Sequence, residues 1–527
     1  MKDQLRSKMI RYANPILPGF YPDPSIVKAE DHFYLICSSF EYFPGVPIFR
    51  SRDLIHWEQI GNVLNRFSQL DLTGQKSSDG IYAPVLRYHE GIFYMITTDV
   101  RGIGNFYVTA TNPAGPWSDP IRIPYGGIDP SLFFDDDGKV YVTAQQGADY
   151  DSHAIQYEIN ITTGEALSNP QIVWHGDGGP WTEGPHLYKI NDLYYMMSAS
   201  GGTAKEHREI IGRSDKPYGP FERYPEPILT HRNLDHPIQY LGHADLVEDH
   251  QGDWWAVFLG VRLTEGGYSV LGRETFLAPV VWKDGWPHID NNEGTVSLDM
   301  SVQRLGVTAP SMLDRNAAIV VGREDFDVEL GPQWLFVRNP SEGKCTLTEK
   351  PGFLTLYGQE AGLNDTRQIT FVGRRQQHLD ASFTACISFV PVSEGEEAGL
   401  CIRRDEDAHY ELGVRRSAGR NIIFARLTEC GDSEIVHESE VETEQLLLRI
   451  ESTEKEYKLT CSEDGQNWLH LGSGTARAIS PEDFVHKMCF TGAVVGLYAT
   501  GNGQESQTPA RFDWFEYSTS FAAIRAD

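Results

Sequence analysis

Positive charge is scarce in this chain. Its 45 lysines and arginines face 74 aspartates and glutamates, a formal net charge of −29 over 527 residues. Phosphate backbones and anionic membrane surfaces are held by clusters of Lys and Arg. Without such clusters, nucleic acid and membrane drop out as partners and a neutral substrate is favoured. Long apolar runs are missing too. The stretch Met1 to Ile10 scatters charges where the apolar core of a secretory signal would lie, and no later stretch reaches the length of a membrane span. The expectation is a soluble protein that stays in the cytoplasm. Cysteine is sparse: the seven, at 37, 345, 386, 401, 430, 461 and 489, form no close pairs and no His/Cys ligand spacing. That excludes a disulfide framework and a zinc site and suits a reducing compartment. The acidic run Asp135 to Asp137 ahead of Gly138 lacks the spacing and terminal Glu of a calcium loop.

What the chain has in quantity is aromatics and glycine. Phe, Trp and Tyr make up 11% of it, with 50 glycines, 11 tryptophans and 24 tyrosines. This profile fits turn-rich, all-β structure, and the aromatics also suit sugar rings. The length implies two or three domains.

One pattern recurs five times in the first 260 residues. Each copy has a short polar or acidic motif, a few residues leading into an apolar strand, a Gly/Asp/Asn-rich turn, and a returning strand rich in aromatics. The centres are Asp23 (in Tyr21-Pro-Asp-Pro-Ser25), Ala83, Asp129, Glu183 and His243, and the returning aromatics are Tyr34, Tyr94, Tyr141, Tyr194 and Trp254. Eleven or twelve residues separate centre from aromatic in every copy. Short strands in repeats of roughly 40 to 60 residues mark a β-propeller, whose blades cannot bury their apolar faces alone. Five copies imply five blades, with the five centres converging at one mouth of the axis if each opens its innermost strand.

Along the chain, Asn14 to Gly19 is expected to close the propeller edge, and Asp135 to Gly138 reads as a hairpin turn. Arg273 falls inside the strand-like run Val270 to Ala278. The propeller domain is assigned to residues 1–300 and the polar, aperiodic stretch 301–325 to a linker. From 326 to 527 longer alternating strands, such as 381–389 and 446–451, predict a β-sandwich without a catalytic constellation. The fold class is all-β: a five-bladed propeller followed by a concanavalin-like sandwich.

Three of the five centres are carboxylates. Two carboxylates across a pocket can hydrolyse a glycosidic bond, one as general acid and the other as base or nucleophile. Asp23 and Glu183 lie on blades across the axis, and the flanking prolines and Gly184-Pro185 fix their backbones. A Glu entering an aromatic rim near Trp181, with Asp129 beside it, should hold its proton near neutral pH. His243 could hold a central ion, make a hydrogen bond or be structural. Arg273 needs a carboxylate or a sugar hydroxyl as partner.

Together these residues resemble glycoside hydrolase family 43, in the β-xylosidase/α-L-arabinofuranosidase branch that carries a C-terminal sandwich. The matching motifs run from Asn14-Pro-Ile-Leu17 and Tyr21-Pro-Asp-Pro-Ser25 through Phe40 to Gly45, Asp129-Pro-Ser131, Thr182 to Tyr188, Gly201-Gly-Thr203, Gly242-His243, Leu271 to Thr275 and Phe490 to Ala493. The resemblance implies Asp23 as general base, Glu183 as general acid and Asp129 as the carboxylate that orients and tunes the acid. It further implies Arg273, Phe40, Tyr82, Ala83 and Thr203 as sugar-binding residues, Phe490 as the aromatic closing the +1 side, and a central calcium or water at His243. No cofactor is required for the hydrolysis. Where many β-xylosidases of the branch carry Trp, this chain has Tyr82, and the aromatics they place near Thr143 to Gln146 are missing.

The expected activity is exo-acting, inverting release of terminal xylosyl, and also arabinofuranosyl, units from short oligosaccharides, with a homo-oligomer plausible. The competitors are a mainly α-L-arabinofuranosidase activity, a retaining glycosidase with Asp23 as nucleophile, and a sugar-binding propeller without turnover.

Overall fold

The computed structural model describes residues 7–289, 294–305, 318–319, 321–482 and 489–519. Five antiparallel four-stranded sheets follow one another along the first half. Their innermost strands are Ser25–Ala29, Val85–His89, Ile128–Phe134, Glu183–Ile190 and Ile238–Glu248. Each touches the next, and the fifth returns to the first, so the sheets form the closed ring of a propeller. The returning strands, such as His32–Ile36 and Leu193–Ser200, are the recurring aromatic segments of the sequence, and they are almost wholly buried. The hairpins between them turn where the local residues accept left-handed backbone: Glu90 and Gly91 have φ of 49° and 82°, Asn191 and Asp192 of 51° and 64°. Two consecutive left-handed residues match the twist of a two-residue hairpin. Asp135 to Gly138 forms the expected turn.

The lead-in segment is hydrogen-bonded to the last sheet. Leu17 and Thr275 exchange backbone hydrogen bonds of 3.2 Å, and the Asn14 side-chain amide donates to the Leu277 carbonyl and accepts its N–H at 2.9 and 3.0 Å. Ser7–Ala13 then pairs antiparallel with Asp299–Leu305. Most of the stretch 301–325 read as a linker, namely 306–317 and 320, lies outside the described residues. At its ends, Asp299–Leu305 is a strand and Gly322–Glu324 already pairs with Pro509–Ser518.

The second half is a two-sheet sandwich. An eight-stranded sheet containing Ala381–Ser388, Gln445–Ser452 and Pro509–Ser518 faces a six-stranded sheet containing Thr370–Arg375, Glu397–Asp405, Ala408–Ser417 and Val494–Thr500. Side chains alternate across a strand, and here both faces are used. Leu400, Ile402, Leu412, Val495 and Leu497 fill the sandwich core. On the other face Cys401, Val494, Tyr498 and Phe371 pack with Phe20, Phe40 and Tyr42 of the propeller. A two-stranded sheet, Phe336–Val337 with Tyr42–Phe43, crosses the same boundary. The sandwich is therefore seated on the segment that carries Phe40.

Candidate active site

Four of the five register positions, all but Ala83, stand in or beside distorted backbone. Asp23, Asp129 and His243 have φ of 54°, 52° and 54°, and Gly184, next to Glu183, has 57°. Pairing slips between Ile128 and Ser131, between Glu183 and His186, and between Gly242 and Asp245. Such irregularities re-aim a side chain out of the pleat. Asp23 and Ala83 precede their strands, and Glu183 opens its own. Asp129 is the second residue of its strand, whereas His243 sits midway along Ile238–Glu248.

These residues line one cavity of about 460 Å³. Every expected site residue is present in its wall: Asp23, Asp129 and Glu183; Phe40, Tyr82, Ala83, Thr203, Arg273 and Phe490; and His243. Sequence reasoning assigned no role to Ser77, Ser78, Asp79, Ile128 or Gly202, which also line it, and treated Trp181 only as a rim aromatic. Arg273 is not inside a strand. The strand starts at Glu274, and Arg273 stands on the bend after Gly272, whose φ is 78°. A Cβ on Gly272 would come within 2.8 Å of the Gly492 Cα. The glycine lets the sandwich loop approach Arg273 backbone to backbone.

The three carboxylates have unlike surroundings. Asp23, 5% exposed, accepts from Ser38 Oγ at 2.6 Å and Arg273 Nη1 at 3.1 Å, with His243 Nδ1 3.5 Å away. Burial pushes its pKa up, but the Arg273 guanidinium, His243 and the Ser38 hydrogen bond outweigh that and hold it below its ordinary value. Asp129 and Glu183 go the other way. Burial and the nearby Asp23 raise Asp129 against His243 and the Gly184 N–H, which donates to its Oδ2 at 3.2 Å. Burial, Asp129 and Asp23 raise Glu183, opposed by Arg273. Among the described residues no donor reaches the Glu183 carboxyl, so the proton in the Asp129/Glu183 pair resides on Glu183. In one cavity the surroundings thus favour the ionised form of Asp23 and the protonated form of Glu183.

His243 was expected to mark a central calcium or water. Calcium takes six to eight oxygens. Among the described residues no group of three or more His, Cys, Asp or Glu side chains could hold a metal, and the carboxylate nearest His243 is committed to Arg273 and Ser38. These side chains do not make a calcium site by themselves, and His243 acts here as a partner of Asp23.

The sandwich completes the wall. The Phe490 ring stacks on Phe40 with centroids 5.7 Å apart and lies 5.3 Å from the Arg273 guanidinium. Its peptide is held at both ends: Ser78 Oγ accepts its N–H at 2.9 Å, and its carbonyl accepts from Arg273 Nη2 at 3.3 Å. Ser78, at φ 67°, is fixed in turn by its own N–H donating to the buried Glu41 at 2.9 Å. Arg403 of the sandwich reaches Ser77 Oγ at 3.1 Å and Glu41 at 3.9 Å.

A propeller with one cavity lined by aromatics and by two carboxyls held in opposite protonation states has the apparatus of a glycosidase. Residues 12–287 match the model of glycosyl hydrolases family 43, and residues 323–518 match that of a beta xylosidase C-terminal concanavalin A-like domain. The chain belongs to glycosyl hydrolase family 43. It is 43% identical over 517 residues, 96% of this chain and 94% of the other, to the non-reducing end alpha-L-arabinofuranosidase BoGH43B of Bacteroides ovatus. It is 37% identical to a xylosidase/arabinosidase of Butyrivibrio fibrisolvens, over 96% of this chain and 99% of that one. Among solved structures it superposes on the Bacteroides ovatus xyloglucan-locus GH43B with a TM-score of 0.89 at 41% identity, covering 97% of this chain and 100% of that one. For the xylan beta-1,4-xylosidase of Bacillus halodurans the TM-score is 0.89 at 34% identity, with 96% and 100% covered.

Proposed function

We propose that the protein removes single terminal β-D-xylosyl and α-L-arabinofuranosyl units from short oligosaccharides by one-step inversion. The observation that carries this reading is the opposite tuning of Asp23 and Glu183 in one cavity. Asp23, kept ionised by Arg273, takes a proton from a water whose oxygen bonds to the anomeric carbon. The bond to the leaving oxygen breaks as Glu183 gives that oxygen its proton. Asp23 ends protonated and Glu183 ionised, and exchange with solvent resets both. Asp129 keeps the Glu183 proton in place between turnovers. Arg273, whose Nη1 also donates to Thr203 Oγ1 at 3.1 Å, has donors suited to a hydroxyl of the terminal sugar, over Phe40, Tyr82 and Ala83.

A mainly arabinofuranosidase activity is the second reading. It is favoured by the 43% identical relative named for that activity and by Tyr82 standing where Trp is common in β-xylosidases. The seven free cysteines suit action inside the cell.

The test is turnover of xylobiose and of the two p-nitrophenyl glycosides. Asp23→Asn should abolish all of it. Glu183→Gln should lose about 10²–10⁴-fold on xylobiose and much less on the nitrophenyl glycosides, whose leaving group needs little protonation. Equal losses on both kinds of substrate would remove Glu183 from the acid's role. Proton NMR of the first-formed anomer separates inversion from retention.

A further inference from the structure

Trp181 stands two residues from the acid and lines the same cavity, yet the hydrolysis described above does not use it. It is 37% exposed, and its φ of 54° is one that bulky residues rarely adopt. That backbone is clamped from several sides. The Trp181 N–H donates to the Asp149 carbonyl at 3.0 Å, the Gly201 N–H to the Pro180 carbonyl at 2.8 Å, and Ser152 Oγ to the Thr182 carbonyl at 2.8 Å. Asp177, gripped by Arg208 Nε at 2.7 Å and Ser200 Oγ at 2.8 Å, accepts from the Gly179 N–H at 3.0 Å. A Cβ on Gly202 would come within 3.2 Å of Trp181 Cδ1, so the glycine leaves room beside the indole. Strain that the surroundings enforce collects where a side chain must be presented.

The other cavity aromatics are already engaged. Phe40, Tyr82 and Phe490 pack on one another with centroids 5.6–5.7 Å apart, and Arg273 lies over two of them. Among the described residues no aromatic ring packs against Trp181. Phe490, expected to close the +1 side, lines the cavity and also packs on Phe40 and Arg273.

We propose that Trp181 is the stacking platform for the leaving-group sugar. This rests on Glu183 being the acid. The unit beyond the oxygen that Glu183 protonates must leave past Glu183 toward the mouth, where the indole lies open. The ligand is a neutral aldopyranose ring, presenting its C–H face to the indole, as in a xylose unit of a short chain.

The experiment compares kcat/KM on xylobiose and on methyl β-D-xylopyranoside, which share the terminal sugar but differ in having a ring to stack. Arabinofuranosyl-xylose and methyl α-L-arabinofuranoside form the matching pair. Measuring each variant against wild type cancels the difference in leaving-group chemistry. Trp181→Ala should lower the disaccharide-to-methyl ratio about ten-fold, with Trp181→Phe retaining most of it. An equal fall on both substrates, or a ratio unmoved in Trp181→Ala, would overturn the platform. Wild-type enzyme that splits none of the four substrates would instead overturn the glycosidase reading on which the platform stands.

Discussion

Asp23 and Glu183 share one cavity and are pushed in opposite directions. The rate should therefore fall on the acid side as Asp23 takes up a proton, and on the alkaline side as Glu183 loses its own, with the alkaline limb above the usual carboxylate range. The same shifts act on stability with opposite signs. For Asp23 the folded pKa is lowered, so its contribution is present above the unfolded value of about 3.9 and is lost as pH falls through the folded value. For Glu183 the folded pKa is raised: the native state holds the proton longer than the unfolded one, and stability drops as pH climbs from about 4.3 toward the folded value. Glu183→Gln should consequently gain Tm relative to wild type, by a margin that widens between pH 5 and 9 in calorimetric scans. A margin independent of pH would mean that Glu183 is not held protonated. The meeting of these carboxyls in one cavity was legible because its causes are local. Prolines around Asp23, Gly184-Pro185 after Glu183 and the recurring register place three carboxylates without any knowledge of distant contacts. The placement of Arg273 was misread, since only the Gly272 bend and its contact with Gly492 take it out of the strand.

At the scale of elements, two loops distant in sequence build one wall. Ser78 and Phe490 lie 412 residues apart and meet through the 2.9 Å hydrogen bond between the Ser78 hydroxyl and the Phe490 N–H. Nothing in the polar stretch Ser77 to Asp79 signals this, because its partners come from the other domain; the only local oddity, a left-handed serine, is not visible as composition. The same bond gives Ser78 a measurable role. Ser78→Ala frees the peptide whose carbonyl holds Arg273, and one lost hydrogen bond is worth about 0.5–1.5 kcal/mol. KM for the disaccharide should rise about 2–10-fold while kcat changes less, since the three carboxyls are untouched. Ser78→Thr, which keeps the hydroxyl, should restore much of the binding; steady-state kinetics on the three proteins decides. A fall in kcat at constant KM would place Ser78 elsewhere in the mechanism.

For the whole molecule, a buried polar junction ties the innermost strands of the ring together. Asp245 of the fifth innermost strand accepts from Ser25 Oγ of the first at 2.6 Å, from Arg87 of the second at 3.0 Å and from Tyr188 of the fourth at 2.6 Å. Arg87 also contacts His186 Nδ1 at 2.8 Å. Burial would raise the Asp245 carboxyl, but Arg87 and His186 hold it down at about 2. Removing one partner of such a buried pair strands the other, at about 3–5 kcal/mol. Asp245→Asn should thus lower the urea midpoint with little change in slope; an unchanged midpoint would show that the ring does not depend on this junction. The repeat that revealed the blades also contains Asp245, two residues after His243. Its junction went unread because periodicity shows which segments are alike and not which polar atoms meet at the centre.

The pocket wall contributed by Phe490 also has a meaning in time. The residue that holds Arg273 follows Asp23 by 467 positions in the chain. At synthesis rates of about 5–20 residues per second that is a delay of tens of seconds. Through that interval Arg273 lacks one of its supports and the stretch around Phe40 lacks its cover. The full support of Arg273 is therefore acquired only once the sandwich has been made and has docked.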